Sequence, residues 1–126
     1  MIVDRHGEVL AHEERMLLAP VQISIQEACS FVSNLGGLFI PAHVNREAFG
    51  LLPRLGSVPP DLKVEFLEIT RTAHKDTLLQ KYPQLAEYRL LRNGDVHYPE
   101  DFLGALEFSA QNSSLAAIRD GLISIL

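Results

Sequence analysis

Asp95 and His97 lie two residues apart in the stretch Asn93-Gly-Asp-Val-His97. In an extended backbone, residues two apart project to the same side. A carboxylate and an imidazole placed in this way are good ligands for zinc, manganese or iron. The ordinary alternative is a hydrogen-bonded turn, with Gly94 supplying the tight bend. A third donor of the same class is His43, which closes the stretch Ile40-Pro-Ala-His43. Pro41 there ends any strand hydrogen bonding and stiffens the exit, so that His43 projects from the strand tip. Taken alone, His43 reads as a loop histidine. Two histidines and an aspartate at strand exits of one sheet favour a divalent metal site built from His43, Asp95 and His97.

Two further residues could serve such a site. Glu68 falls inside the apolar run Val64-Glu-Phe-Leu-Glu-Ile69. A carboxylate there needs a partner, because burying it unpaired is costly. It could orient a ligand histidine from the second shell, or form a structural pair with an arginine. Arg71, just past the strand end, could grip a phosphate with its two-pronged guanidinium and so bind substrate. Glu65 reads as solvent-facing. Arg46 could line the same mouth as His43 but also reads as a surface helix residue. His6, His12 and His74 sit in polar surroundings and read as surface residues, and Cys29 as a small core residue in a helix. The nucleophile elbow, the phosphate-binding P-loop and the Gly-rich dinucleotide fingerprint are all missing, and no residue is assigned a catalytic role.

The elements that would position these residues alternate. Ile2 to Leu10 reads as a hairpin, and Met16 to Val21 as a strand or extended segment ending near Pro20. Ser24 and Glu27 form a capping box over a helix to Leu35, with Ile25, Ala28, Phe31, Val32 and Leu35 on one face and Gly36-Gly37 as the stop. Leu38-Phe-Ile40 follows as a short buried strand. A helix is expected over Asn45–Leu55, a strand over Val64–Ile69, a short helix over Asp76–Tyr82 and a strand at Arg89-Leu-Leu91. A fourth strand is expected at Leu106–Ser109 and a closing helix over 113–126, with Leu115, Ile118, Leu122 and Ile125 on one face. Strand and helix alternating in this way predict an α/β fold with a mostly parallel sheet. About four β/α units are present, and a closed barrel of this type needs roughly twice as many. The chain is therefore expected to form an open sheet or part of a barrel.

Composition sets outer bounds. The 126 residues are one domain's worth of chain, 47% hydrophobic and 21% charged. The mean hydropathy of +0.08 is slightly apolar for a free-standing domain and points to surface covered by a second chain or a second copy. The net charge is -5 and the isoelectric point about 5.4. That balance offers no basic face for direct nucleic-acid binding, although a metal ion could supply local positive charge for a small anionic substrate. A single cysteine excludes an intrachain disulfide and makes a reducing, cytoplasmic setting the default. No apolar run is long enough to span a bilayer, and the start Met1-Ile-Val-Asp-Arg5 has no signal-like core.

The motifs Ile40-Pro-Ala-His43, Leu67-Glu-Ile69 and Gly94-Asp-Val-His97 together resemble the PHP family, the polymerase and histidinol phosphatase domain. The longer stretches Gly36-Gly-Leu-Phe-Ile-Pro-Ala-His-Val-Asn-Arg46 and Asp95-Val-His-Tyr-Pro-Glu-Asp101 extend the similarity. Two positions depart from the family pattern, Gly94 where Ser is usual and Val96 where Ala is common, and neither is a ligand. The resemblance implies that the whole chain, 1–126, is one domain forming the C-terminal half of a distorted β/α barrel. It implies a metal-dependent phosphoesterase, with His43, Asp95 and His97 among the ligands of a site holding up to three metals. The family's earlier ligands, a His-x-His pair, an Asp-His, a Glu and another His, do not occur in this chain. A fragment, a naturally split half and a degenerate relative all remain open. The expectation is metal binding that is weak or needs a complementing chain, and hydrolysis of a phosphate ester once the site is completed. The alternative is a non-catalytic half-barrel that works by association with itself or with another chain.

Overall fold

The protein's structure, a computed structural model, describes residues 1–15, 20–102 and 106–125, with Asn93 described by its backbone. Strand β1, Ile2–Val3, pairs antiparallel with β2, Val9–Ala11, as a separate two-stranded sheet. The Asp4 carboxylate accepts the amides of His6 and Glu8 at 2.8 and 3.0 Å and so shapes the turn. The expected hairpin is present. The segment expected over Met16–Val21 lies largely outside the described residues.

Helix α1, Ile25–Asn34, begins at the Ser24–Glu27 capping box and ends in a pair of reversed bonds. Gly37 N–H donates to the Val32 carbonyl at 2.8 Å, and Gly36, at φ 74°, donates to Ser33 at 2.9 Å. This is the Schellman arrangement that a glycine in the left-handed region permits. The buried stripe of α1 differs from the expected one. It runs through Ile25, Ala28, Cys29 and Val32, whereas Phe31 and Leu35 are exposed.

The helix expected over Asn45–Leu55 is shorter. Residues 42–49 form turns, and α2 spans Leu51–Leu55. Pro53 explains the late start. A proline ring collides with the carbonyl four residues earlier, so proline is tolerated only in a helix's first turn. A helix carrying Pro53 cannot extend back to Asn45.

Strand β3, Phe66–Thr70, is followed by α3, Lys75–Lys81, a 3-10 turn at Pro83–Glu87, and β4, Arg89–Asn93. β3 and β4 pair in parallel, with Leu67 opposite Leu90 and Glu68 opposite Leu91. Successive side chains face opposite sides of the pair. Leu67, Ile69 and Leu90 join one core cluster with Cys29, Val44, Leu52 and Leu85. Phe66 and Leu91 join a second with Leu122 of helix α4, Leu115–Ser124. Helix α4 approaches closely. A β-carbon at Gly121 would stand 2.5 Å from the Ser109 carbonyl, so only glycine fits there. The Glu65 carboxylate, expected to face solvent, instead bonds Arg119 of α4 at 2.7 Å and Arg89 of β4 at 3.3 Å.

The sheet corrects the expected fold class. The described residues contain a parallel pair and a separate antiparallel pair. This is a small mixed α/β fold without barrel closure, and not part of a β/α barrel with a mostly parallel sheet. The physical reason lies in two segments. Leu38–Ile40 lies beside β3, with Leu38 and Ile40 packed in the second cluster and Phe39 in the first. It forms no regular ladder, and the bonds joining the two stretches come after Pro41, where Glu68 N–H donates to the Pro41 carbonyl at 2.9 Å and Val44 N–H to the Glu68 carbonyl at 2.8 Å. The stretch Leu106–Ser109 forms no strand and lies against α4, with Phe108 and the Ser109 carbonyl close to Gly121. Neither extends the parallel pair. Among the described residues no helix is long and apolar enough to cross a membrane.

Candidate metal centre

The C-terminal ends of β3 and β4 lie side by side, and the chemistry expected from the sequence gathers there. The turn after Pro41 carries His43, and the residues after β4 carry Asp95 and His97. His43 Nε2 stands 4.0 Å from Asp95 Oδ1, and His97 Nδ1 3.8 Å from the same oxygen. Three residues separated by up to 54 positions are thus brought to one point. Side-chain exposure is 22% for His43, 38% for Asp95 and 65% for His97, so the site opens outward through His97.

Two of the three residues have unusual backbones. His43 has φ 31° and Asp95 φ 51°, in the left-handed region that L-residues avoid. Such strain persists only where the surroundings impose it, and it clusters at binding and active sites. The bend expected at Gly94 is in fact made by Asp95.

Asn45 imposes the geometry at His43. Its amide oxygen accepts the Thr70 N–H at 2.9 Å, and its amide nitrogen donates to Thr70 Oγ1 at 2.9 Å. This clamp fastens the His43 turn to the last residue of β3. Sequence reasoning missed it, although an asparagine two residues beyond a strand-exit histidine is well suited to tying a turn. Asn45→Ala would leave the partly buried Thr70 amide unpaired. The expected cost is about 1–3 kcal/mol, read as a lower midpoint in thermal or urea unfolding.

Asp101 does the same for His97. Its carboxylate accepts the amides of His97 and Tyr98, both at 3.0 Å. These two amide bonds, with weaker help from the charges of His97 and Arg71, hold the Asp101 carboxyl below its ordinary value of 3.8. The bonds favour the ionised form, so their contribution is complete above the unfolded value and is lost as pH falls through the lowered one. Acidifying below pH 3.8 is expected to release the 97–101 turn, seen as faster hydrogen exchange at the His97 and Tyr98 amides. Arg71 is exposed just beyond β3, on the Asp101 side of the mouth. Glu68 is half-buried on the sheet face shared with Phe66 and Leu91. Its main chain holds both ends of the Pro41–Val44 turn. His6, His12 and His74 are exposed.

The donor set can be tested for fit to a divalent ion. His97 Nδ1 lies 2.7 Å from its neighbour Asp95's carbonyl oxygen, so a proton on Nδ1 is satisfied there. That leaves Nε2 with a free lone pair, the usual arrangement of a metal-bound imidazole. His43 Nδ1 is buried with no hydrogen-bond partner among the described residues, an orphaned group that costs roughly 1–3 kcal/mol. Ligand bonds of about 2.0–2.2 Å place two donors of one tetrahedral ion about 3.4 Å apart. The 4.0 Å gap from His43 Nε2 to Asp95 Oδ1 is wider than that, and the 3.8 Å contact of His97 with the same oxygen is made by Nδ1, the nitrogen already at the Asp95 carbonyl. Among the described residues no three His, Cys, Asp or Glu side chains are drawn together closely enough to hold an ion as they stand. The second Asp95 oxygen is taken by Arg46, whose Nη1 donates to Oδ2 at 2.8 Å. The donor types fit a metal; the spacing requires the cluster to contract and Asp95 to be shared.

Comparison with protein families, with curated proteins and with solved structures finds no match to this chain.

Proposed function

We propose that this chain supplies His43, Asp95 and His97 as ligands of a divalent metal centre, zinc, manganese or iron, for hydrolysis of phosphate esters of the PHP kind. One observation carries the proposal: two imidazoles converge on one Asp95 oxygen at the strand ends, with His43 and Asp95 both in strained left-handed backbone. In a parallel β/α arrangement the carboxyl ends of the strands are where working residues collect. Asp95 provides the hard anionic donor and the histidines the borderline nitrogen donors. When bound, the ion would activate a water and neutralise the phosphoryl oxygens. In this reading Arg71, just past β3, would take a further phosphoryl oxygen, and Asp101, bonded to the His97 amide at 3.0 Å, would help to hold His97.

Three ligands do not make the bridged two-metal or three-metal centre that this chemistry uses, so a second chain carrying the His-x-His set would complete the site. The exposed apolar side chains Val21, Phe31, Leu35 and Phe102 support association with such a chain or with a second copy. The test is hydrolysis of p-nitrophenyl phosphate with Mn or Zn, by this chain alone and mixed with a chain bearing a His-x-His segment. Little activity alone and clear activity in the mixture is the expected result. A mixture that binds metal and stays inactive rejects the phosphoesterase reading.

A further inference from the structure

We propose that two copies of this chain associate through a contact in which Phe49 and Arg54 of one copy meet Tyr98, Glu100 and Phe102 of the other. The contact is independent of whether the His43 cluster holds an ion. Phe49 is 79% exposed and has φ 66°. A bulky side chain in the left-handed region is a genuine outlier, and such strain persists only where the surroundings impose it. Here the bonds from Gly50 N–H to the Arg46 carbonyl and from Leu52 N–H to the Val44 carbonyl impose it. The ring so held in solvent lies under the Arg54 guanidinium, whose central carbon stands 5.7 Å from the ring centre. Arg54 is exposed and makes no ion pair among the described residues. Aromatic and arginine side chains are the types enriched where proteins meet.

The other half of the contact is the 3-10 turn Pro99–Asp101. The Asp101 carboxylate fixes it by accepting the His97 and Tyr98 amides, and the Asp101 N–H donates back to the Tyr98 carbonyl at 3.0 Å. The turn presents Tyr98, 70% exposed, Phe102, 77% exposed, and the exposed Glu100. Glu100 also makes no ion pair among the described residues. One patch therefore joins aromatic surface to an unpaired positive charge, and the other joins it to an unpaired negative charge. Both belong to one end of the molecule. Phe49 follows Arg46 by three residues, Tyr98 follows Asp95 by three, and Arg46 and Asp95 are joined at 2.8 Å. A second copy related by a two-fold axis lets each patch meet its opposite, twice per dimer. An aromatic side chain offers about 150–250 Å². At these exposures the three rings supply roughly 350–550 Å² per copy, the size of a weak, transient contact.

The test is sedimentation equilibrium of the whole chain from about 10 μM to 1 mM, the range of weak association, with a thermal melt of every variant. The native chain is expected to be monomeric at the low end and dimeric at the high end. Phe49→Asn suits left-handed backbone, so it is expected to keep or raise the melting midpoint. It is expected to weaken dimerisation about tenfold or more, the scale of a truncated interface anchor. Arg54→Glu and Glu100→Arg are each expected to weaken it about tenfold by setting like charges against each other. Both changes in one chain are expected to restore dimerisation to within a few-fold of native. A chain that stays monomeric throughout overturns the proposal and leaves these patches to a different partner. A dimer indifferent to Phe49→Asn overturns it too, as does a doubly changed chain that associates no better than either single variant.

Discussion

Gly50→Ala is expected to destabilise the protein by about 1–3 kcal/mol, the scale of an overpacked site, and to weaken metal binding with it. A β-carbon at Gly50 would lie 2.1 Å from the Arg46 carbonyl oxygen, 2.8 Å from the Arg46 nitrogen and 2.9 Å from the Val44 carbonyl oxygen. All three are main-chain atoms, so no side chain can swing aside. The bonds Gly50 N–H to Arg46 and Leu52 N–H to Val44, at 3.0 and 2.9 Å, close the same loop. Pushing it open displaces His43 and Arg46 together. Thermal unfolding should show a midpoint lowered by roughly 5–10 °C for a domain of this size. Gly94→Ser is the contrasting change. A β-carbon there meets the Asp101 carbonyl at 3.4 Å and Val96 at 3.6 Å, close to ordinary contact. It is expected to leave stability and metal binding close to native.

Asp95→Asn is expected to reduce metal affinity by about a hundredfold or more while leaving the fold intact. The change keeps the side chain's shape and, because asparagine is well tolerated in the left-handed region, also the backbone at φ 51°. It removes the only anionic oxygens among the three donors. Stability should fall by no more than about 1 kcal/mol, because the pairs of Asp95 with Arg46, His43 and His97 are all partly exposed. Calorimetric metal titration and a thermal melt on the same sample separate the two effects. Equal metal affinity in the two proteins would remove Asp95 from the site.

The candidate site was more legible in the sequence than the fold around it. Asp95 and His97 stood out by a two-residue spacing read in extended backbone, and His43 by its place after Pro41; the structure instead bends at Asp95, φ 51°, and brings the three near one another through that turn. The residue types are visible in the sequence, whereas the turn at Asp95 and the approach of His43 are not. The capping box at Ser24 and the glycine stop at Gly36 were legible as residue patterns. The sheet was not. An apolar run such as Leu38–Ile40 fixes which side chains are buried, but it does not show whether the neighbouring backbone will align into a ladder. That outcome depends on non-local pairing, and here the pairing stops at two bonds to Glu68. The extent of α2 could have been read from Pro53. The helical stripe of α1 was misassigned because Phe31 and Leu35 match the period as well as Cys29 does, and only packing against β3 and its neighbours chooses between them. Asn45, Arg46 and Asp101 carry ordinary residue types whose importance comes from partners as distant as Thr70 and Asp95. Those partners become visible only once β3 and β4 stand side by side.

The most direct test of the metal assignment is the 15N chemical shift of each imidazole nitrogen during titration with zinc. The account predicts that one nitrogen of His43 and Nε2 of His97 shift together and saturate, that Asp95→Asn abolishes the change, and that His6, His12 and His74 stay where they were. Shifts confined to those three exposed histidines, or no saturable shift at His43 and His97, would contradict it.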